Sequence, residues 1–97
     1  MSVMQFIPTL AEYLRQHNRI YTVRAYHYST SEATVSGIGS CRRELITQLS
    51  DKELPTLEAY VAESGFDNLG AWVYKIRYFI PPGRPMYLYK VEVLGGQ

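Results

Sequence analysis

One cysteine, Cys41, stands in a chain of 97 residues. That excludes an internal disulfide and a cysteine-rich zinc site. The chain holds only two histidines, His17 and His27, and they lack the i, i+4 spacing of a helical metal pair. We therefore expect no metal and no cofactor. Gly37-x-Gly39 lacks a third glycine and a helix at the right distance, so it is no dinucleotide fingerprint. No stretch approaches the ~20 apolar residues of a membrane-spanning helix, and no membrane partner is expected. No basic-then-apolar leader opens the chain. Together these absences fit a cytoplasmic protein. Charge of one sign is also scarce: the net charge is only +1, which argues against strong non-specific binding to duplex DNA.

What is present is globular material. Hydrophobic residues make up 46 % and charged residues 20 %, and the length suits a single domain over 1–97. Nine tyrosines are many for this size. The charge is also blocked. Residues 1–43 carry five arginines against Glu12 and Glu32, residues 44–68 carry Lys52 against six acids, and residues 69–97 carry four cations against Glu92. Basic ends thus flank an acidic middle. If the ends meet, they form a basic, tyrosine-rich surface.

Periodicity predicts the elements. Leu10, Tyr13, Leu14 and His17 recur at helical spacing within a helix from Phe6 to His17, with Pro8 suited to its first turn and Asn18 to a left-handed stop. Ile20 to Tyr28 is β-branched and aromatic, and reads as a strand. Tyr21, Val23, Ala25 and His27 form the better core face. Thr22, Arg24, Tyr26 and Tyr28 share the other. Ala33 to Thr47 reads as one long strand, bent at Gly37 and Gly39. Ser50-Asp51-Lys52-Glu53 is a capping box, and a helix is predicted over roughly 55–63. Gly65 ends it, and Asp67 is placed as N-cap of a helix whose face carries Leu69, Trp72, Val73 and Ile76. Pro81-Pro82-Gly83 stops that helix. Met86 to Leu94 is a last strand, and residues 95–97 read as a frayed end.

Guanidinium groups hold phosphates, and phenol rings stack on unpaired bases. Arg19 and Arg24 bracket the first strand, and Arg24 shares a face with Tyr26 and Tyr28. The same residues also suit plain packing on a sheet surface. Cys41, beside Arg42 and Arg43, reads as a small buried side chain before it reads as a nucleophile.

The run Phe6-x-x-x-Leu10-x-x-x-Leu14, followed by Arg19-Ile20-Tyr21-Thr22-Val23-Arg24, resembles the opening of ASCH domains, small members of the PUA-like superfamily. Leu49-Ser50-Asp51-Lys52-Glu53-Leu54 and Glu63-Ser64-Gly65-Phe66-Asp67 resemble the family's helical segment. The resemblance implies an α+β domain: a small, bent, mostly antiparallel β-barrel with two or three helices. The arginine–tyrosine clustering and the resemblance together give the expected function, an RNA- or nucleotide-binding module without catalysis of its own, in a cleft lined by Arg19, Thr22, Arg24, Tyr26 and the Gly37–Gly39 backbone, with Glu63 near. Some ASCH proteins are acetylcytidine amidohydrolases, and Thr22 and Glu63 fall at or near the matching catalytic positions. Arg19 stands where the family's lysine would be, and an arginine cannot supply a neutral amine. A third reading is a protein-interaction module, with edge strands pairing in a homodimer or with another chain.

Overall fold

Residues 19–24 and 87–92, from the two basic blocks of the chain, pair side by side in one sheet. The computed structural model describes residues 3–94. In order the elements are β1 (Val3–Met4), α1 (Pro8–His17), β2 (Arg19–Arg24), β3 (Glu32–Val35), β4 (Gly39–Leu49), a 3-10 segment (Asp51–Glu63), α2 (Leu69–Phe79) and β5 (Met86–Val93). The five strands run in the order β1-β3-β4-β5-β2. Only β1 and β3 pair in parallel among the described strands; the rest are antiparallel. The α+β class is as expected. The barrel, however, is open. The sheet curls into a half-barrel whose edge strands β1 and β2 do not pair.

Both faces of the central strands are covered. On one face Leu14 of α1 packs with Met4, Ile20, Val35, Cys41, Tyr89 and Val91. On the other, Leu54 and Leu57 of the 3-10 segment and Trp72 and Ile76 of α2 pack with Met86 and Leu88. This corrects the reading of β2 as a strand with one core face. Ile20 and Thr22 are buried on the α1 side, while Tyr21 and Val23 pack on the α2 side. The strand also stops at Arg24, and His27 is exposed rather than in the core, its ring 5.5 Å from that of Tyr87. In β4 the register shifts between Leu45 and Thr47, so Cys41 and Leu49 serve opposite cores. Such a bulge bends a strand and helps the sheet curl.

Local chemistry explains the remaining boundaries. Asn18 adopts φ 65° and its N–H donates to the Leu14 carbonyl, ending α1 as its sequence implies. Gly37 and Gly39, at φ 81° and 119°, do more than bend one strand: they reverse the chain between β3 and β4. The predicted 55–63 helix begins earlier and winds as a 3-10 segment, with Pro55 inside it. Proline at that position withholds an N–H from the ladder. At its start the Ser50 N–H donates to Glu53 Oε1 at 2.8 Å. The cap of α2 is Asn68, not Asp67: Asn68 Oδ1 accepts from the Ala71 N–H at 2.8 Å. Residues 95–97, read as a frayed end, lie outside the described residues.

Candidate functional site

The gap in the half-barrel opens on a cleft of about 480 Å³. One wall is the approach to α1, with Phe6, Ile7 and Leu10. The floor is β2 and its continuation, from Tyr21 to Tyr26. The far wall is α2, with Trp72, Lys75, Ile76 and Phe79. The volume lies in the range of small-molecule sites. Among the described residues, no carboxylate lines it.

Arg24 lines the cleft and is half-buried. Its Nη2 donates to the Gln5 carbonyl at 3.0 Å, tying β2 to the end of β1 across the seam. Its Nε donates to Thr22 Oγ1 at 3.3 Å, and its guanidinium carbon lies 4.5 Å from the centre of the Phe6 ring. Loss of water around it pulls its pKa below the ordinary arginine value; the Tyr28 hydroxyl opposes this and Arg43 adds to it. Arginine stays charged at neutral pH even so. None of the ion pairs among the described residues includes Arg24. A desolvated cation without a counter-ion therefore faces an apolar, aromatic cleft.

Thr22 is 7 % exposed and orients Arg24. Tyr26 is 70 % exposed at the rim, its ring centre 6.4 Å from that of Tyr28. Tyr28 is held from behind. Its N–H donates to the Tyr89 hydroxyl at 2.7 Å, and the Arg43 guanidinium carbon stands 3.8 Å from its ring centre. Lys75, half-buried on α2, supplies a second cation.

The structure brings Thr22, Arg24 and Tyr26 together in the cleft, and leaves the other expected site residues out of its lining. Arg19 is held by Glu63, with Nη2 at 2.7 Å and Nε at 3.2 Å from one carboxylate oxygen. This pairing raises the Arg19 pKa. Gly37 and Gly39 turn beside α1 instead, where the Gly37 carbonyl accepts from Arg15 Nη2 at 3.4 Å. Thr22 and Glu63, the amidohydrolase pair, thus do not share the cleft. Phe6, Trp72, Lys75 and Phe79 were missed as site residues. A signal for the last three was in the sequence: 72, 75, 76 and 79 share one helix face with a lysine in it. Cys41 is fully buried, and burial pushes its thiol pKa up, which opposes a nucleophilic role.

The outer edge of β2 also faces this cleft. The Val93 N–H donates to the Asn18 carbonyl at 2.9 Å, which marks 18 and 93 as a hydrogen-bonded pair. Alternation along the antiparallel ladder then turns the backbone groups of Tyr21 and Val23 outward.

Comparison with family models, curated proteins and solved structures gives no match.

Proposed function

We propose that this domain binds RNA or a nucleotide in the β2–α2 cleft, without catalysis of its own. The observation that carries the reading is Arg24: a largely desolvated guanidinium with no ion-pair partner among the described residues, set among aromatic rings, with Lys75 in the same lining and no acid among the described lining residues. An anion there relieves an uncompensated charge, and a base gains stacking area. Arg24 and Lys75 hold phosphate, Tyr26 stacks a base, and Phe6 and Phe79 close over it. An ASCH-like, PUA-like barrel left open at the β1–β2 seam is the fold reading that goes with this function. The lone buried thiol suits a reducing compartment such as the cytoplasm.

Titration with single-stranded RNA, duplex RNA, DNA and free nucleotides at two salt concentrations tests this. We expect single-stranded RNA or nucleotide binding that weakens with salt and falls at least about tenfold in Arg24→Ala. No binding to any of them at low salt overturns it.

The outward edge of β2 favours one second reading. Tyr21 and Val23 offer backbone donors and acceptors in an apolar groove, the geometry for strand addition by another chain or a second copy. A salt-insensitive dimer that ignores RNA would select it.

A further inference from the structure

Three of the exposed large apolar side chains stand together on α2: Tyr74, Tyr78 and Phe79 are 74 %, 72 % and 60 % exposed, and Phe79 shares the cleft lining with the exposed Tyr26. Folding normally hides such rings where it can, and an exposed apolar run marks a contact surface. Phe79 and Lys75 connect this run to the cleft. Phe79 lines the cleft. Tyr78 meets Phe79 edge-on, ring centres 5.0 Å apart at 88°. Tyr74 lies one turn back from Tyr78 on the same side of the helix. Lys75 Nζ stands 5.2 Å from the centre of the Tyr78 ring and also lines the cleft.

Two features select the chemistry of the partner. The face is made of flat rings interleaved with a cation, and α2 contains no acidic residue at all. Single-stranded nucleic acid is bound by that combination, because every base has a π-face and every linkage a negative charge. The other feature is continuity: a chain leaving the cleft past Phe79 runs directly onto Tyr78. From Tyr74 to Phe79 the helix rises about 7.5 Å, room for about two stacked phosphate spacings.

We propose that the Tyr74, Lys75, Tyr78 and Phe79 face extends the cleft into a track for single-stranded RNA. One base sits in the cleft, the following bases stack on the Tyr78 and Tyr74 rings, and Lys75, in the cleft lining beside Tyr78, holds the phosphate that links the cleft base to the next. This rests on the nucleotide reading above and adds that the ligand is an oligonucleotide rather than a mononucleotide.

Calorimetric titration with uridine monophosphate and with oligouridylates of three and five nucleotides tests it. Longer ligands are expected to bind at least about tenfold tighter than the monophosphate. The Tyr74→Ala/Tyr78→Ala double variant is expected to lose that gain and keep the monophosphate affinity, since neither ring lines the cleft. Tyr74→Phe/Tyr78→Phe retains the stacking faces and should retain the gain. Equal affinity for all lengths, with the monophosphate still bound, overturns the track and leaves the cleft reading standing. So does a gain that survives the alanine pair or vanishes in the phenylalanine pair. A wild-type dimer that the alanine pair dissolves makes the face a self-association surface and also overturns it. Absence of binding by every ligand overturns the nucleotide reading itself.

Discussion

At Arg24 the requirements of folding and of binding pull apart. Hydrogen bonds to the Gln5 carbonyl and Thr22 Oγ1, with the Tyr28 hydroxyl beside them, hold a charge that is stripped of much of its water and has no counter-ion among the described residues. Replacing such a charge by an apolar group of similar volume is often neutral or stabilising. Binding sites regularly keep residues that cost stability. We expect Arg24→Leu to leave the thermal midpoint unchanged or higher while RNA affinity falls. A midpoint lowered by about 8 °C or more would make Arg24 a structural strut instead. The pairing of Arg24 with Thr22 and Tyr26 was legible in the sequence, because i, i+2 neighbours of an extended segment share a side. Its partner Phe6 was not, since it comes from 18 positions away, on the far side of α1 in the chain.

Among the elements, the connections carry more of the specificity than the helices do. Gly65 links the 3-10 segment to α2 at φ 85°, and a Cβ there would lie 2.6 Å from Leu10 Cδ2. Gly83 has a similar φ of 88° but open space around its Cα. We expect Gly65→Ala to lose about 2–4 kcal/mol and Gly83→Ala about 1 kcal/mol, read by denaturant titration. Equal losses would remove the contact with Leu10 as a cause. A second link joins the start of the 3-10 segment to the end of α2. Asp51 accepts from Arg77 Nη2 at 2.6 Å and from the Gly83 N–H at 2.9 Å. The hydrogen bond from Arg77, then that from Gly83, lowers its pKa below the ordinary aspartate range. A carboxyl with a depressed folded-state pKa contributes stability above its unfolded value of about 3.9, and that contribution is lost as pH falls through the folded one. Asp51→Asn should therefore melt below the wild type at pH 7, with the gap closing as the solution is acidified under about pH 4. A gap constant from neutral to acid pH contradicts this. Sequence reading located these connections at Gly65 and at Pro81–Gly83. It misjudged the Gly37–Gly39 turn, because glycines that reverse a chain and glycines that bend a strand look alike without the partner strand. It also assigned one core face to β2, because a strand covered on both sides shows no alternation to read.

Across the whole molecule the charge blocks of the sequence become an alternation. Glu32, Arg42, Glu92 and Arg19 stand opposite one another in register across β3, β4, β5 and β2, and Arg19 continues to Glu63. One row along, Lys90 pairs with Glu44 at 3.3 Å. Arg19, Arg77 and Lys90 of the basic ends are therefore held by Glu63, Asp51 and Glu44 of the acidic middle, which linear counting cannot show. Arg24 and Lys75 are left at the cleft. Two cations on a single strand imply a shallow salt dependence, with log affinity falling against log salt at a slope of about −1.4. The central claim is that this cleft takes the ligand. Its most direct test is an amide chemical-shift titration of the isotope-labelled protein with a five-nucleotide single-stranded RNA. Saturable shifts centred on Thr22, Arg24, Tyr26, Lys75 and Phe79 are expected, with Arg19, Gly37, Gly39 and Glu63 unmoved. Shifts confined to the Gly37–Gly39 turn or the Arg19–Glu63 pair, or no shifts at all, would contradict it.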